Sequence, residues 1–367
     1  MRSKKALIIF ILIGVVSFLY ASQCWAATVT WNGSADSSWN NGVNWDGGTV
    51  PQTTHDVVIT SAGTAPVLDI TTTVASLTIS GGSLNLNGYT MNVTGNFLTT
   101  GSGILTMTTG ATDILNVYGN VDFSGGSTDG TLTAGVINVK GAFYGNSYLF
   151  SASGSHKVVF NGTAAQTANF SSAGSSGAHF QDAEFANPAG VNFISDAYIA
   201  GTATVTNGNV TSDTGRTVTI NGDLVDVVGD RWQVYNTDFS GTNPSLPAAL
   251  ITNVRFKGSA SLSSGFNLTG NLSVYGSTGD LILNGQTVTV SGNFETTTSG
   301  ILTMTNALDV LTVDGNVSFN DGSIDVTLTA GVINVKGAFY GNSYFFSASG
   351  SHKVVFNGTA AQTANFS

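Results

Sequence analysis

The chain has 367 residues, of which only 9% are charged and 46 are glycine. Its formal net charge is −10, and it becomes −13 beyond Ala26, because all 21 acidic residues but only 8 of the 11 basic ones follow that position. A sparse negative charge argues against a nucleic-acid partner, whose phosphates need clustered Lys and Arg, and against an anionic membrane surface.

Residues 1–26 have the pattern of a secretory signal peptide. Three basic residues at the very start precede an uncharged, largely apolar run from Ala6 to Tyr20, and small residues stand at the two positions that define cleavage after Ala26. The run is shorter than the ~20 residues of a membrane span, and no later run approaches that length. Cleavage removes Cys24, the single cysteine. We therefore expect an exported protein, secreted or at the cell surface, with no membrane span in the mature chain.

Residues 27–60 are predicted to form an N-terminal cap. Trp31, Trp39 and Trp45 lie close together in the sequence, separated by Gly, Asn, Ser and Asp, and a first strand follows at 56–60. The first repeat of a solenoid differs from the others because it covers the end of the core. Two interpretations of the tryptophans stay open: they close the core, or their exposed faces stack on sugar rings.

Residues 61–367 repeat a short phrase: apolar, any, apolar, any, Gly, any, apolar. The alternation of apolar positions indicates a strand. A fixed period of about 22–24 residues between the closely spaced glycines indicates a solenoid. The sequence therefore predicts a single all-β solenoid domain, with one such period per coil and almost no helix. The central glycines of the phrase are Gly95, Gly119, Gly141, Gly222, Gly270, Gly292, Gly315 and Gly337.

A larger duplication lies over these coils. The segment 131–171 returns as 327–367 with one difference, Leu149 against Phe345. The similarity extends back less closely, so a cassette occupies about 84–171 and again about 281–367. The second copy stops inside a phrase that runs on in the first. We therefore expect the chain to be truncated at its C-terminus and to associate end to end through an open coil edge.

The two copies also predict which side chains point inward. Apolar residues at alternate positions are unchanged between the copies, whereas Tyr118 becomes Asp314. Alternate side chains of a strand point to opposite faces, and a Tyr-to-Asp change is incompatible with a packed core. We expect Tyr118 and Asp122 to point outward. The inward set is Leu115, Val117, Val121 and Phe123.

The region 172–265 is less regular. The segment from Val227 to Pro247 breaks the repeat and is predicted to be a coil that carries a longer loop. An insertion on a solenoid often marks a binding face. Trp232 and Tyr235 in this segment either contact a ligand or cover a gap in the core.

These features resemble the right-handed parallel β-helix of bacterial surface and secreted proteins, of the autotransporter-passenger or filamentous-haemagglutinin-like type. The resemblance rests on the coil length, on Thr30-Trp31-Asn-Gly33 and Asn44-Trp45 near the start, and on the phrase from Ser155 to Thr167. It implies a structural or adhesive module whose partners are surface glycans or host and matrix components.

Parallel β-helices also host polysaccharide lyases and hydrolases, so this alternative needs its own test. Asn236-Thr-Asp238 matches one motif of the polygalacturonases, but the further acidic pair and the Gly-His-Gly are missing. Arg255-Phe-Lys257 resembles the third motif but follows too soon to leave room for the others. The four histidines lack metal-ligand spacing. We therefore predict no catalytic residue, no metal site and no cofactor. The candidate glycan contacts are Trp31, Trp39, Trp45, Trp232 and Tyr235.

Overall fold

The computed structural model describes residues 27–322, 326–342 and 344–366. The predicted signal peptide, residues 1–26, lies outside these ranges. The chain forms a parallel β-solenoid of about 14 turns with 2% helix, which confirms the predicted all-β class. Within the described ranges the helical elements are two short 3-10 turns, Gly42–Asn44 and Ser147–Leu149. The right-handed sense of the coil stays a prediction.

Four long parallel sheets run along the solenoid. The first sheet contains Thr28–Trp31, Asp56–Ile59, Ser76–Ile79, Phe97–Thr99, Val121–Phe123, Phe143–Gly145, Gln166–Phe170, Val191–Phe193, Val210–Ser212 and Trp232–Gln233. The second contains Thr72–Val74, Thr90–Val93, Ile114–Val117, Val136–Val139, Lys157–Phe160, Asp182–Phe185, Ala203–Val205 and Leu224–Asp226. The third contains Ala197–Ile199, Thr217–Ile220, Asn236–Phe239, Asn253–Phe256, Leu272–Tyr275, Phe294–Thr297, Val317–Phe319, Phe339–Gly341 and Ala364–Phe366. The fourth contains Ala249–Leu250, Phe266–Leu268, Thr287–Val290, Val310–Val313, Val332–Val335 and Lys353–Phe356.

Two small parallel sheets complete the coils. One pairs Ser83–Asn85 with Ile104–Thr106, and the other contains Ser259–Ser261, Asp280–Ile282 and Ile301–Thr303. Because each strand pairs with the equivalent strand of the next coil, the sequence separation of a pair gives the coil length. Among the described strand pairs, the longest separation is that of Thr28 and Asp56, and the shortest is that of Asn236 and Asn253. The predicted period therefore describes the regular coils, and the irregular region departs from it.

Burial confirms the predicted inward and outward positions. Val117 is 1% exposed and Phe123 is fully buried, whereas Tyr118 is 51% exposed. The inward aromatic rings stack from coil to coil, with Phe97 and Phe123 centroids 5.3 Å apart. Such contacts add to the ~1.5–3 kcal/mol that burial of each apolar side chain contributes. The solenoid is therefore held together by one continuous core along its axis.

The Gly-Asn pair of the phrase recurs because the corners of neighbouring coils approach closely and are joined by hydrogen bonds. A Cβ on Gly119 would lie 2.6 Å from the carbonyl carbon of Gly95, so neighbouring corners approach too closely for a side chain. The following asparagine bridges the same corner, because the Asn96 side-chain oxygen accepts the Asn120 backbone N–H at 2.8 Å. Asn120 accepts from Ala142 in the same way. The phrase therefore encodes a tight corner that stacks on itself.

The outward positions that differ between the copies keep an equivalent partner. Lys140 lies over the Tyr118 ring, with its ammonium 3.9 Å from the ring centroid. In the second copy Lys336 forms an ion pair with Asp314 at 2.7 Å. A cation–π contact in one copy is thus replaced by a salt bridge in the other, at a site where both partners are partly exposed.

The second copy of the cassette is rotated about the solenoid axis relative to the first, so that each of its strands lies on the neighbouring face of the coil. In coils 191–226 the chain visits the first, third and second sheets in that order, for example through Val191–Phe193, Ala197–Ile199 and Ala203–Val205. In the first copy Phe97 belongs to the first sheet, whereas its equivalent Phe294 belongs to the third sheet. Equivalent side chains of the two copies therefore point in directions about a third of a turn apart.

The prediction of a longer loop between Val227 and Pro247 is wrong. Successive strands of the third sheet pair Thr217 with Asn236 and Asn236 with Asn253. These partners are 19 and 17 residues apart in the chain. The coils here are thus shorter than the regular ones, and the segment contributes strands to two sheets. A coil of this length has less room for the complete phrase, which agrees with the irregular sequence of the segment.

Candidate functional site

The short coils bring together charged residues that belong to separate motifs in the sequence. Asp238 and Arg255 are direct neighbours in the third sheet, because Asn236–Phe239 and Asn253–Phe256 pair in register. Both side chains occupy the outward row of their strands, and Lys257 follows immediately after the second strand. The incomplete motifs noted in the sequence therefore meet in space, although they are 17 residues apart in the chain.

Two cations share the Asp238 carboxylate. Its Oδ1 accepts a hydrogen bond from Arg255 Nε at 2.6 Å, and its Oδ2 accepts from an Arg255 terminal nitrogen at 2.8 Å. Lys257 Nζ lies 2.7 Å from the same Oδ2. The Asp238 side chain is 1% exposed, whereas those of Arg255 and Lys257 are 37% and 35% exposed. The bidentate geometry and the burial of the carboxylate fix the guanidinium plane.

These residues line an open groove of about 450 Å³ on the outer surface of the third sheet. The groove runs along the solenoid axis, from Asp196 and Tyr198 to Arg255 and Lys257. Its other lining residues are Ala173, Gly174, Ser175, Ala197, Thr217, Thr219, Asp238 and Ser240. Asp196 is exposed and accepts the Thr217 backbone N–H at 3.0 Å. The groove thus has a carboxylate at one end, two cations at the other and hydroxyl groups between them.

Tyr275 extends the cationic end of the groove by one further coil. Its ring centroid lies 5.9 Å from the Arg255 guanidinium carbon and 5.5 Å from Lys257 Nζ. The Tyr275 side chain is 37% exposed. An aromatic face within about 6 Å of a cation is attracted to it and restricts its motion. Tyr275 was not predictable from the two motifs, because it falls outside both of them; the strand register places it next to the cations.

The tryptophans proposed as glycan contacts lie inside the protein. Trp31 and Trp39 are fully buried and Trp45 is 1% exposed. Trp45 packs edge to face against both others, with centroid distances of 4.8 and 4.6 Å. Trp45 Nε1 donates to the Trp39 carbonyl at 2.8 Å. Because no ring face is open, this cluster packs the N-terminal coil and offers nothing to a sugar, which corrects the glycan interpretation for these three residues.

The two aromatic residues of the irregular region behave differently from each other. Trp232 is 1% exposed, and its Nε1 donates to Thr237 Oγ1 at 2.8 Å. It therefore fills the core, and its prediction as a glycan contact is wrong. Tyr235 is 46% exposed and borders a second, smaller groove of about 290 Å³ with Ile251 and Asn253. A ligand contact by Tyr235 stays a prediction.

The histidines and acidic residues do not form a metal centre in the described part of the chain, where no group of three His, Cys, Asp or Glu side chains is arranged to hold an ion. His156 is fully buried in the first copy of the cassette. Burial lowers its pKa to about 3, so the ring is neutral at ordinary pH. A neutral, enclosed imidazole of this kind has a packing role.

No family model, no curated protein and no solved structure matches this chain. Within the described residues, no helix is both long enough and apolar enough to cross a membrane. The fold is therefore described from its geometry alone, as a parallel β-solenoid with a charged groove on its third sheet.

Proposed function

We propose that the protein is an exported structural or adhesive module, displayed at or released from a bacterial cell surface. Support for export comes from the signal-peptide pattern of residues 1–26. Support for a surface role comes from the resemblance to β-helical passengers of bacterial surface proteins and from the elongated shape. About 14 turns at ~4.8 Å each give a rod roughly 65 Å long.

The observation that supports the adhesive role is the uneven distribution of charged and aromatic side chains over the outer surface of the rod. Outward rows consist largely of short polar side chains, such as the ladder of Asn92, Asn116 and Asn138, whose amides bond from coil to coil at 2.8 Å. The groove on the third sheet is different, since it gathers charges, hydroxyl groups and aromatic rings. A stiff rod with one chemically distinct groove suits a module that presents a contact site.

A polysaccharide-degrading enzyme is the alternative, and Asp238 in the groove is the observation that favours it. Hydrolysis of a glycosidic bond needs a carboxyl group that donates a proton and a second carboxylate that acts on the sugar or on a water. Both oxygens of Asp238 are held by cations, and the side chain is 1% exposed. The arrangement therefore fits an orienting role for Asp238 better than proton transfer to a substrate.

The two functions are separated by measuring binding and turnover on the same material. The mature chain from residue 27 would be applied to a glycan array and incubated with pectate, polygalacturonate and alginate, with and without calcium. We expect retention of one or more glycans and no release of unsaturated or reducing ends. Turnover that disappears in Asp238→Asn would establish the enzyme instead, and an array without any binding would remove the adhesive role.

A further inference from the structure

The cationic end of the groove has unused hydrogen-bonding capacity. Arg255 has five N–H donors and Lys257 has three. Asp238 takes two from Arg255 and one from Lys257. Both side chains remain about a third exposed, so the other donors are open to a ligand. The single carboxylate offsets one of two positive charges, and one positive charge is left over.

This cluster differs from the other described ion pairs of the chain. Lys157 pairs with Glu184 at 3.3 Å, and Lys336 pairs with Asp314 at 2.7 Å, one cation to one carboxylate in each case. At Asp238 two cations converge on one carboxylate that is itself almost fully buried. The buried carboxylate holds both cations in place before a ligand arrives, which lowers the ordering cost of binding.

The remainder of the groove suits a sugar chain better than a small ion. From Tyr198 to Arg255 the outward row crosses three strand spacings of the third sheet, which is about 14 Å. Along this distance the walls offer the hydroxyl groups of Thr217, Thr219 and Ser240. Hydroxyl-lined walls with an aromatic side chain toward each end match alternating polar and apolar surfaces of an oligosaccharide.

The charge pattern restricts the kind of sugar chain. Asp196 lies at the end of the groove opposite Arg255 and Lys257, so a densely and uniformly anionic polymer would meet repulsion there. We infer that the groove binds an oligosaccharide carrying an acidic group, a carboxylate or a sulfate, which is seated on Arg255 and Lys257. This inference deepens the proposed adhesive role and rests on it.

The test compares charged and neutral forms of one short ligand by titration calorimetry with the mature chain. The carboxylate probe is trigalacturonate, with its fully methyl-esterified form as the neutral counterpart. The sulfate probe is a sulfated galactose trisaccharide, with the unsulfated trisaccharide as its counterpart. We expect at least one acidic form to bind more than about tenfold more tightly than its neutral counterpart, because charge-assisted hydrogen bonds are lost with the charge. The tighter of the two acidic forms identifies the group.

Lys257→Gln is the informative variant, since it removes one cation and leaves the bidentate Arg255–Asp238 pair in place. We expect it to weaken binding of the acidic probe about tenfold or more. The matched control is Lys336→Gln, which removes a lysine with a carboxylate at the same 2.7 Å distance outside the groove. It should bind as the parent does. Circular dichroism of both variants establishes that the solenoid is intact.

Three results would overturn the inference. They are equal binding of acidic and neutral forms, equal loss in Lys257→Gln and Lys336→Gln, and inorganic phosphate binding as tightly as the trisaccharides. If the array shows neutral glycans whose binding Lys257→Gln leaves unchanged, the adhesive role stands and this inference fails. An array without any bound glycan removes both.

Discussion

Protonation of His156 should open the solenoid locally at mildly acidic pH. The ring is fully buried, and neither of its nitrogens has a hydrogen-bond partner in the described part of the chain. Burial lowers the pKa of His156 from 6.5 to about 3, because the charged form would lose its hydration without compensation. The unfolded chain protonates this ring near pH 6.5, so between pH 6.5 and 3 the unfolded state binds the additional proton.

The magnitude follows from the size of that pKa difference. Each unit corresponds to about 1.36 kcal/mol, so stability is fully present above pH 6.5 and falls by up to about 1.4 kcal/mol per pH unit below it. Over the whole interval the loss approaches about 5 kcal/mol. In a solenoid each coil contacts only its neighbours, so the loss should appear first as opening of the coils around Lys157–Phe160.

Amide hydrogen exchange, corrected for the intrinsic pH dependence, reports this local opening free energy. The parent chain should lose protection at Lys157–Phe160 between pH 7 and 5, and His156→Leu should not show this slope. The duplicated cassette supplies the control: His352 is only half-buried, and its Nδ1 lies 2.7 Å from the Ala330 carbonyl oxygen. His352→Leu should therefore leave the slope at Lys157–Phe160 unchanged. An identical pH slope in the parent and His156→Leu would refute the reasoning.

Three further predictions concern stability. Val117→Asp should destabilise the chain by more than about 4 kcal/mol in chemical denaturation, because it buries an unpaired charge, whereas Tyr118→Asp should change it by less than about 0.5 kcal/mol; similar values for the two would contradict the burial pattern. Gly119→Ala should cost about 1–3 kcal/mol, since its Cβ meets the preceding corner. Gly174→Ala, whose Cβ has no neighbour closer than 4.0 Å, is its control and should be near neutral. Asp238→Asn should cost about 1–3 kcal/mol, because it weakens the charge-assisted hydrogen bonds of the buried carboxylate while the two cations stay partly exposed and hydrated; an unchanged midpoint would show that the cluster is not coupled to folding.

The fold was largely predictable because its determinants are local and repeat. Alternating apolar residues such as Leu115 and Val117 specify a strand with one buried face, and the glycine corner sets the spacing between strands. The comparison of Tyr118 with Asp314 identified the outward-facing positions directly, since a buried position would not accept both a tyrosine and an aspartate. These inferences needed no knowledge of which coil stacks on which.

The candidate site was not predictable to the same extent, because it depends on coil length. The sequence places Asp238 and Arg255 in separate incomplete motifs, and nothing local states that their strands are adjacent. The irregular segment was interpreted as an insertion, whereas the coils there are shorter than the regular ones. For the tryptophans the sequence allows two interpretations, closure of the core or contact with a sugar, because their burial depends on contacts that the sequence does not state, such as the hydrogen bond from Asn44 to Asp36 beside the cluster.

The one-face offset between the cassettes bears on how such a chain is rearranged during evolution. Phe97 and Phe294 are equivalent in sequence but belong to different sheets, and both are fully buried with an aromatic neighbour in the next coil. The interior therefore accepts equivalent strands on two different sides of the coil. A recombination event need not add or delete a whole number of coils to remain in register. A crossover between equivalent positions of the two cassettes would delete or duplicate the segment between them, which contains the groove. One product would therefore lack the groove, and the other would carry two.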